Sequence, residues 1–197
     1  MKTYRISSSG RRTALILLVG ALIIWIFALW TFGSTLGISY NPVAFWHTLR
    51  ASIEQGLSIS QLVPALLMLV LIVATPLVIW NICEELAAAY MPTEDGLHFT
   101  ALGVKLTLPW AGISAIRRVD EDSEEPMDEL ILREDYTSQI RNPLLRFLHA
   151  QAYGRTKLPI YAGVADRDDL LAMIHQQAKL VETEEPRAEI PEPAPST

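Results

Sequence analysis

The chain has 197 residues, half of them apolar and 19% charged, with a net charge of −6 and a mean hydropathy of +0.24. The charge is divided: residues 1–83 carry five Lys/Arg against one Asp/Glu, and residues 84–197 carry eleven against twenty-one. These figures argue against a wholly soluble protein, a disulfide-built secreted domain (there is one Cys) and a nucleic-acid binder with a basic face, and leave a small membrane protein with an acidic soluble half.

Residues 1–12 read as a short basic tail holding Lys2, Arg5, Arg11 and Arg12. Residues 13–33 follow as a first span. In its core, Ala14 to Phe32, twelve of nineteen residues are Leu, Ile, Val or Phe, and about 20 helical residues cross a ~30 Å hydrocarbon layer. A cleaved signal peptide is the alternative, but the apolar run is too long and no small-x-small cleavage site follows. Arg11-Arg12 alone is weak evidence for a twin-arginine signal. The loop 34–60 contains Asn41-Pro42, a helix-start signal. Val43 to Gln55 then predicts a short amphipathic helix with Phe45, Trp46, Leu49 and Ile53 on overlapping faces, lying on the outer membrane surface or against a partner. His47 has no second ligand at helical spacing, so no metal site is read there. Gly33 and Gly37 read as an exit turn.

Residues 61–83 form the second span. Between Leu62 and Ile82 thirteen residues are Leu, Ile, Val or Phe, and no charge intervenes between Glu54 and Glu84. Trp25, Trp30 and Trp80 are placed toward span ends, where indole favours headgroups. Pro76 is interior and frees a backbone carbonyl one turn earlier, predicting a kink. With four basic residues before the first span and only Arg50 in the loop, the amino terminus is expected inside and the loop outside. Two spans then return the chain to the cytoplasm, giving a multi-pass protein of the inner (cytoplasmic) membrane with both termini cytoplasmic.

From residue 84 the pattern changes. Leu86–Ala89 prolong the second helix, and from Tyr90 the chain reads as short strands. Glu94-Asp95-Gly96 is a turn; Leu97, Phe99, Ala101 and then Val104, Leu106, Leu108 alternate with polar residues, as half-buried strands do. Ile113–Val119 is a strand with a broken alternation, Met127–Arg133 another and Lys157–Ala162 a last one. Asp166 is expected to cap a helix whose Leu170, Leu171, Ile174 and Ala178 share a face. The tail 182–197 is acidic and Pro-rich and is expected to be disordered.

Three stretches carry a resemblance: Glu94-Asp95-Gly96-Leu97, Pro109-Trp110-Ala111-Gly112-Ile113, and Leu158-Pro159-Ile160 before Asp166–Leu180. Together they resemble the bacterial pleckstrin-homology-like domain, over residues of about 88–180. The resemblance implies a strongly bent sheet or partly open barrel capped by a carboxy-terminal helix, and in that family such domains often follow one or two spans. The expected class is therefore membrane-anchored α+β: a transmembrane hairpin followed by a pleckstrin-homology-like module at 84–181, with a helix-like insert at 135–156. The module is expected to fold without the spans.

No catalytic or metal-binding motif is present, and no cofactor is expected. The run Asp120–Glu129 lacks the spacing and glycine of a calcium loop and reads as a solvated turn. Arg117 and Arg118 point to opposite faces and read as surface or ion-pair residues. The first hairpin offers only Lys105 and His98, so inositol phosphate binding is not expected. Cys83 is juxtamembrane, which permits acylation but also suits a small apolar residue. The most informative surface element is Asn142–Tyr153. Leu144, Leu145, Phe147, Leu148 and Ala152 share one face; Arg146, His149 and Tyr153 share the other; Arg141, Arg155 and Lys157 flank it. Leu144, Leu145, Phe147, Leu148, Arg141, Arg146, Arg155 and Lys157 are thus candidates for contact with the anionic membrane surface or a protein partner. Packing of this helix on the module's own core is the alternative. The functional expectation is a non-catalytic scaffold whose partners are the bilayer and a membrane or cytoplasmic protein, a second copy included, but not nucleic acid. An accessory subunit of a larger membrane complex, held through its spans, is the second expectation.

Overall fold

The structure, a computed structural model, describes residues 2–37, 59–119 and 127–180 and the single positions 47 and 50. The helix expected over 43–55, most of the acidic run 120–129 and the tail 182–197 lie outside the described residues.

Helices α1 (Ser8–Leu36) and α2 (Ile59–Ala87) form a hairpin. Each has 29 residues, about 44 Å at the helical rise, and each is long and apolar enough to cross a membrane. α1 starts earlier than the composition implied because Ser7 caps it: its hydroxyl accepts from the Gly10 amide at 3.0 Å. Gly37, at φ 62°, ends it in the left-handed conformation. The buried positions of α1 include Ala14, Ala21 and Ala28, a seven-residue repeat of small side chains that lets the helices approach closely. The large residues, among them Ile16, Ile23, Val70 and Val73, point outward. Pro76 cannot donate to the Ile72 carbonyl, and that carbonyl instead accepts from the Trp25 indole at 3.2 Å. Trp25 therefore serves the helix–helix contact rather than a headgroup belt.

Beyond the hairpin lie two antiparallel sheets. The first has the order β1 (Tyr4–Arg5), β2 (Ala89–Pro92), β3 (Gly96–Ala101), β4 (Val104–Pro109). The second is β5 (Ile113–Val119), β6 (Met127–Leu132), β7 (Lys157–Ile160). A register shift between Ile113 and Ala115 is the expected break in alternation. Helix α3 (Pro143–Tyr153) lies between β6 and β7, and α4 (Arg167–Ala178) closes the described chain. The two sheets do not close into a barrel. The core gathers the inward residues of both sheets, including Tyr90, Phe99, Leu108, Ile113, Leu130 and Leu158, under Leu170 and Ile174 of α4. Leu171 is only partly buried, so it contributes less to this lid than its spacing implied.

The amino terminus is not a tail. Tyr4 pairs with Tyr90 and Arg5 with Ala89, so β1 is a strand of the first sheet. On its other side Ile6 bridges to Val164, the Ser7 amide donates to the Gly163 carbonyl at 2.7 Å, and the Ala165 amide to the Arg5 carbonyl at 2.8 Å. Tyr4 is 1% exposed, and its hydroxyl donates to Asp169 at 2.7 Å. The helical hairpin is thus inserted between two neighbouring strands. Gly10 sits directly on Gly163: a Cβ there would stand 2.9 Å from the Gly163 Cα, so the first turn of α1 needs glycine to pack on the module. Asp166 occupies the cap position of α4 but makes no capping bond; its backbone is left-handed at φ 52°, and its carboxylate pairs with Lys2 at 2.9 Å.

Candidate functional site

The module meets the end of α2 through α3. Asn142 and Pro143 start α3 as their types dictate: the Asn142 side chain accepts from the Leu144 amide at 2.9 Å, and proline takes the first turn. The most deeply buried residue of α3 lies off the apolar stripe of the sequence. His149 is fully buried and its Nδ1 lies 2.6 Å from Oε1 of Glu84, the last-turn carboxylate of α2, which is also fully buried. Trp80 donates its indole N–H to the other Glu84 oxygen at 3.1 Å. Glu84, which ends the uncharged run, and His149, from the polar face of α3, are therefore the buried joint between the second helix and the module. Buried polar atoms need hydrogen-bond partners, and here Glu84 has two and His149 Nδ1 has one. His149 Nε2 has no partner among the described residues.

The joint continues as aromatic contact. Phe99 and Tyr153 flank the His149 ring, the Tyr153 and Tyr161 hydroxyls are 2.7 Å apart, and Tyr90 donates to the Pro159 carbonyl at 2.7 Å. Burial pushes all three phenols up, so they stay neutral and act as hydrogen-bond groups. This arrangement can hold a rigid angle between α2 and the sheets. Among the described residues no group of three His, Cys, Asp or Glu side chains could hold a metal ion.

With His149 and Tyr153 inward, Leu145 and Leu148 are half-buried, while Leu144 (61% exposed) and Phe147 (60%) face out. The expected face is split: part of it packs on the core and part is free. The basic residues around it are also divided. Arg146 donates to the Ile140 carbonyl at 2.8 Å and reaches the Ser138 carbonyl at 3.5 Å. Lys157 pairs with Glu129 at 3.0 Å. Arg155 shares with Arg146, Phe147 and Asp135 a cavity of about 300 Å³. Thr137 hydrogen bonds to the Asp135 carboxylate hold it below the usual range. Arg141 is exposed. Arg117 and Arg118 are ion-paired, with Glu129 at 2.8 Å and Asp128 at 3.5 Å, as their strand positions implied; Asp128 also pairs with Arg167.

What sequence reading missed had faint signals. Glu84 stands four residues after Trp80, at helical contact spacing. Tyr4 and Ile6 alternate with Thr3 and Arg5, a period-2 pattern too short to count alone. Set against protein-family models, curated proteins and solved structures, the chain matches none.

Proposed function

We propose that the protein is a non-catalytic scaffold: a two-span anchor of the cytoplasmic membrane that holds a pleckstrin-homology-like module at the inner face, with both termini inside. The carrying observation is the outer face of α3. Leu144 and Phe147 stand exposed on a helix whose opposite face is fixed to α2 through His149 and Glu84. Solvent-exposed large apolar residues on a rigid support are what a protein partner buries. Because Arg146 and Lys157 are engaged within the module, the face suits a protein partner better than a lipid headgroup layer. The division into four and three antiparallel strands, followed by a helix over the core, supports the family resemblance. Basic residues crowd the module side of the hairpin, which supports the orientation.

The accessory-subunit reading is less favoured. The small-residue seam of α1, the usual means of close contact between spans, is already used against α2. Co-purification in mild detergent, wild type beside Leu144→Gln/Phe147→Gln, tests the scaffold. Loss of partners from the double variant is expected. Undiminished retention by the double variant refutes the α3 contact, and retention that follows the hairpin alone favours the subunit.

A further inference from the structure

We infer that the junction between the hairpin and the module is a binding site for one anionic phospholipid, with the headgroup phosphate held by Arg5 and Arg11. A cavity of about 500 Å³ opens there. Arg5 of β1, Arg11 of the first α1 turn and Thr100 of β3 supply its polar side chains, and Leu15 and Leu86 supply apolar walls. No carboxylate lines it, and neither arginine has an ion-pair partner among the described residues. Both arginines are exposed, although the module is acidic and ion-pairs its other strand arginines.

The sheet register explains how the site is built. Arg5 pairs with Ala89, Ala89 with Thr100 and Thr100 with Lys105, so these four side chains share one rung and one face. Small residues in the middle leave a trough. Cations stand at its ends, and the α1 turn brings Arg11 over it. Convergence of several donors is what phosphate capture needs, and the first hairpin alone could not provide it. Arg5 of the amino-terminal strand and Arg11 of the first α1 turn supply the missing charges.

Its position selects a lipid rather than a soluble anion. The cavity lies where α1 begins and α2 ends, so in a bilayer its mouth is level with the headgroups while Leu15 points along the acyl chains. This inference rests on the hairpin spanning the bilayer, but not on the α3 contact or on any protein partner.

The test uses the full chain, delipidated in detergent and offered equal amounts of phosphatidylglycerol and phosphatidylcholine, with bound lipid read by native mass spectrometry. Preferential retention of one phosphatidylglycerol is expected. Arg5→Gln/Arg11→Gln lowers it by roughly tenfold or more, since each cation near an anionic group contributes substantially. Arg12→Gln removes the same charge one residue away, outside the cavity, and is expected to leave retention unchanged. If the double variant fails to fold by circular dichroism, Arg11→Gln alone, on the exposed helix surface, gives the same comparison. Equal retention by wild type and the Arg11 variant overturns the site, as does equal loss on Arg12→Gln. Full displacement of the lipid by millimolar inorganic phosphate overturns the lipid assignment in favour of a free anion. Alkaline carbonate extraction separates the premises: a protein that stays in the membrane yet shows no lipid preference removes this site alone, and one that is extracted removes the spanning hairpin with it.

Discussion

The amino-terminal strand sets the stability of a module 80 residues away. The perturbation is a pair of soluble chains. One is residues 84–180 alone; the other joins residues 2–7 to residue 84 through a short Gly-Ser linker that replaces the hairpin. Arg5 lies opposite Ala89 in an antiparallel pair, so a short linker spans the gap without strain. The magnitude follows from Tyr4, which is 1% exposed and packed in the core. Removal of a buried aromatic side chain costs about 3–5 kcal/mol. The Lys2 and Asp169 contacts are solvent-screened and add little. Small domains hold about 5–15 kcal/mol in all, so the strandless chain is marginal and the joined chain is well folded. Trp110 is the only tryptophan in either chain and is nearly buried, which makes its fluorescence in urea the readout. Equal urea midpoints for the two chains would refute the reasoning. A large gap that vanishes on Tyr4→Ala in the joined chain would localise the effect to the one side chain.

Glu84→Ala leaves the buried His149 Nδ1 without its partner and should destabilise the full protein by about 1–3 kcal/mol, whereas Glu84→Ala/His149→Leu should recover part of that loss; a thermal-melt cycle showing simple additivity rejects the pair. Leu170→Ala should cost about 2–5 kcal/mol by opening a cavity beneath α4, while Phe147→Gln should stay within about 0.5 kcal/mol in the same melts. The Lys2 and Tyr4 bonds hold the Asp169 carboxyl below the usual range, so their contribution is complete above that range and is lost as pH falls through the lowered value. Asp169 and Asp166 raise Lys2, so its contribution is complete below the ordinary lysine range and is lost as pH rises through the raised value. Because both groups are solvent-screened, the gap between the two soluble chains should stay flat from about pH 5 to 9 and narrow only slightly at either extreme; a gap that collapses on acidification would refute its assignment to the buried Tyr4 ring. In a Cys83→Ala background, a membrane-impermeant reagent should label intact cells at Ser58→Cys and not at Ser196→Cys, and the reverse pattern inverts the proposed orientation.

The sequence made the hairpin and five of the seven strands legible, the alternating ones through their period; β2 was seen only as strand-like chain from Tyr90, and Ala89, read into the second helix, is its first residue because that helix ends at Ala87. Val104, Leu106 and Leu108 are buried and their neighbours exposed, as alternation requires. β1 was not legible, since two paired residues carry no periodic signal and its partners lie beyond 80 residues of intervening chain. The burial of His149 in α3 was not legible for a related reason. Hydrophobicity ranks leucine and phenylalanine above histidine, but a buried histidine with a buried carboxylate partner outweighs that ranking, and Glu84 belongs to another element. The same long-range pairing hid the phosphate trough: its arginines were counted with the anchor, its threonine with the module.

An insertion between adjacent strands also fixes an order of events during synthesis. β1 is made first, but its partner β2 follows only after both helices have left the ribosome. Until then Tyr4 and Ile6 have no sheet to join, and the core lacks one edge. A chain whose two helices have not paired keeps Arg5 and Ala89 apart. The module then remains open to proteases, so completion of the fold depends on the two helices having come together as a hairpin.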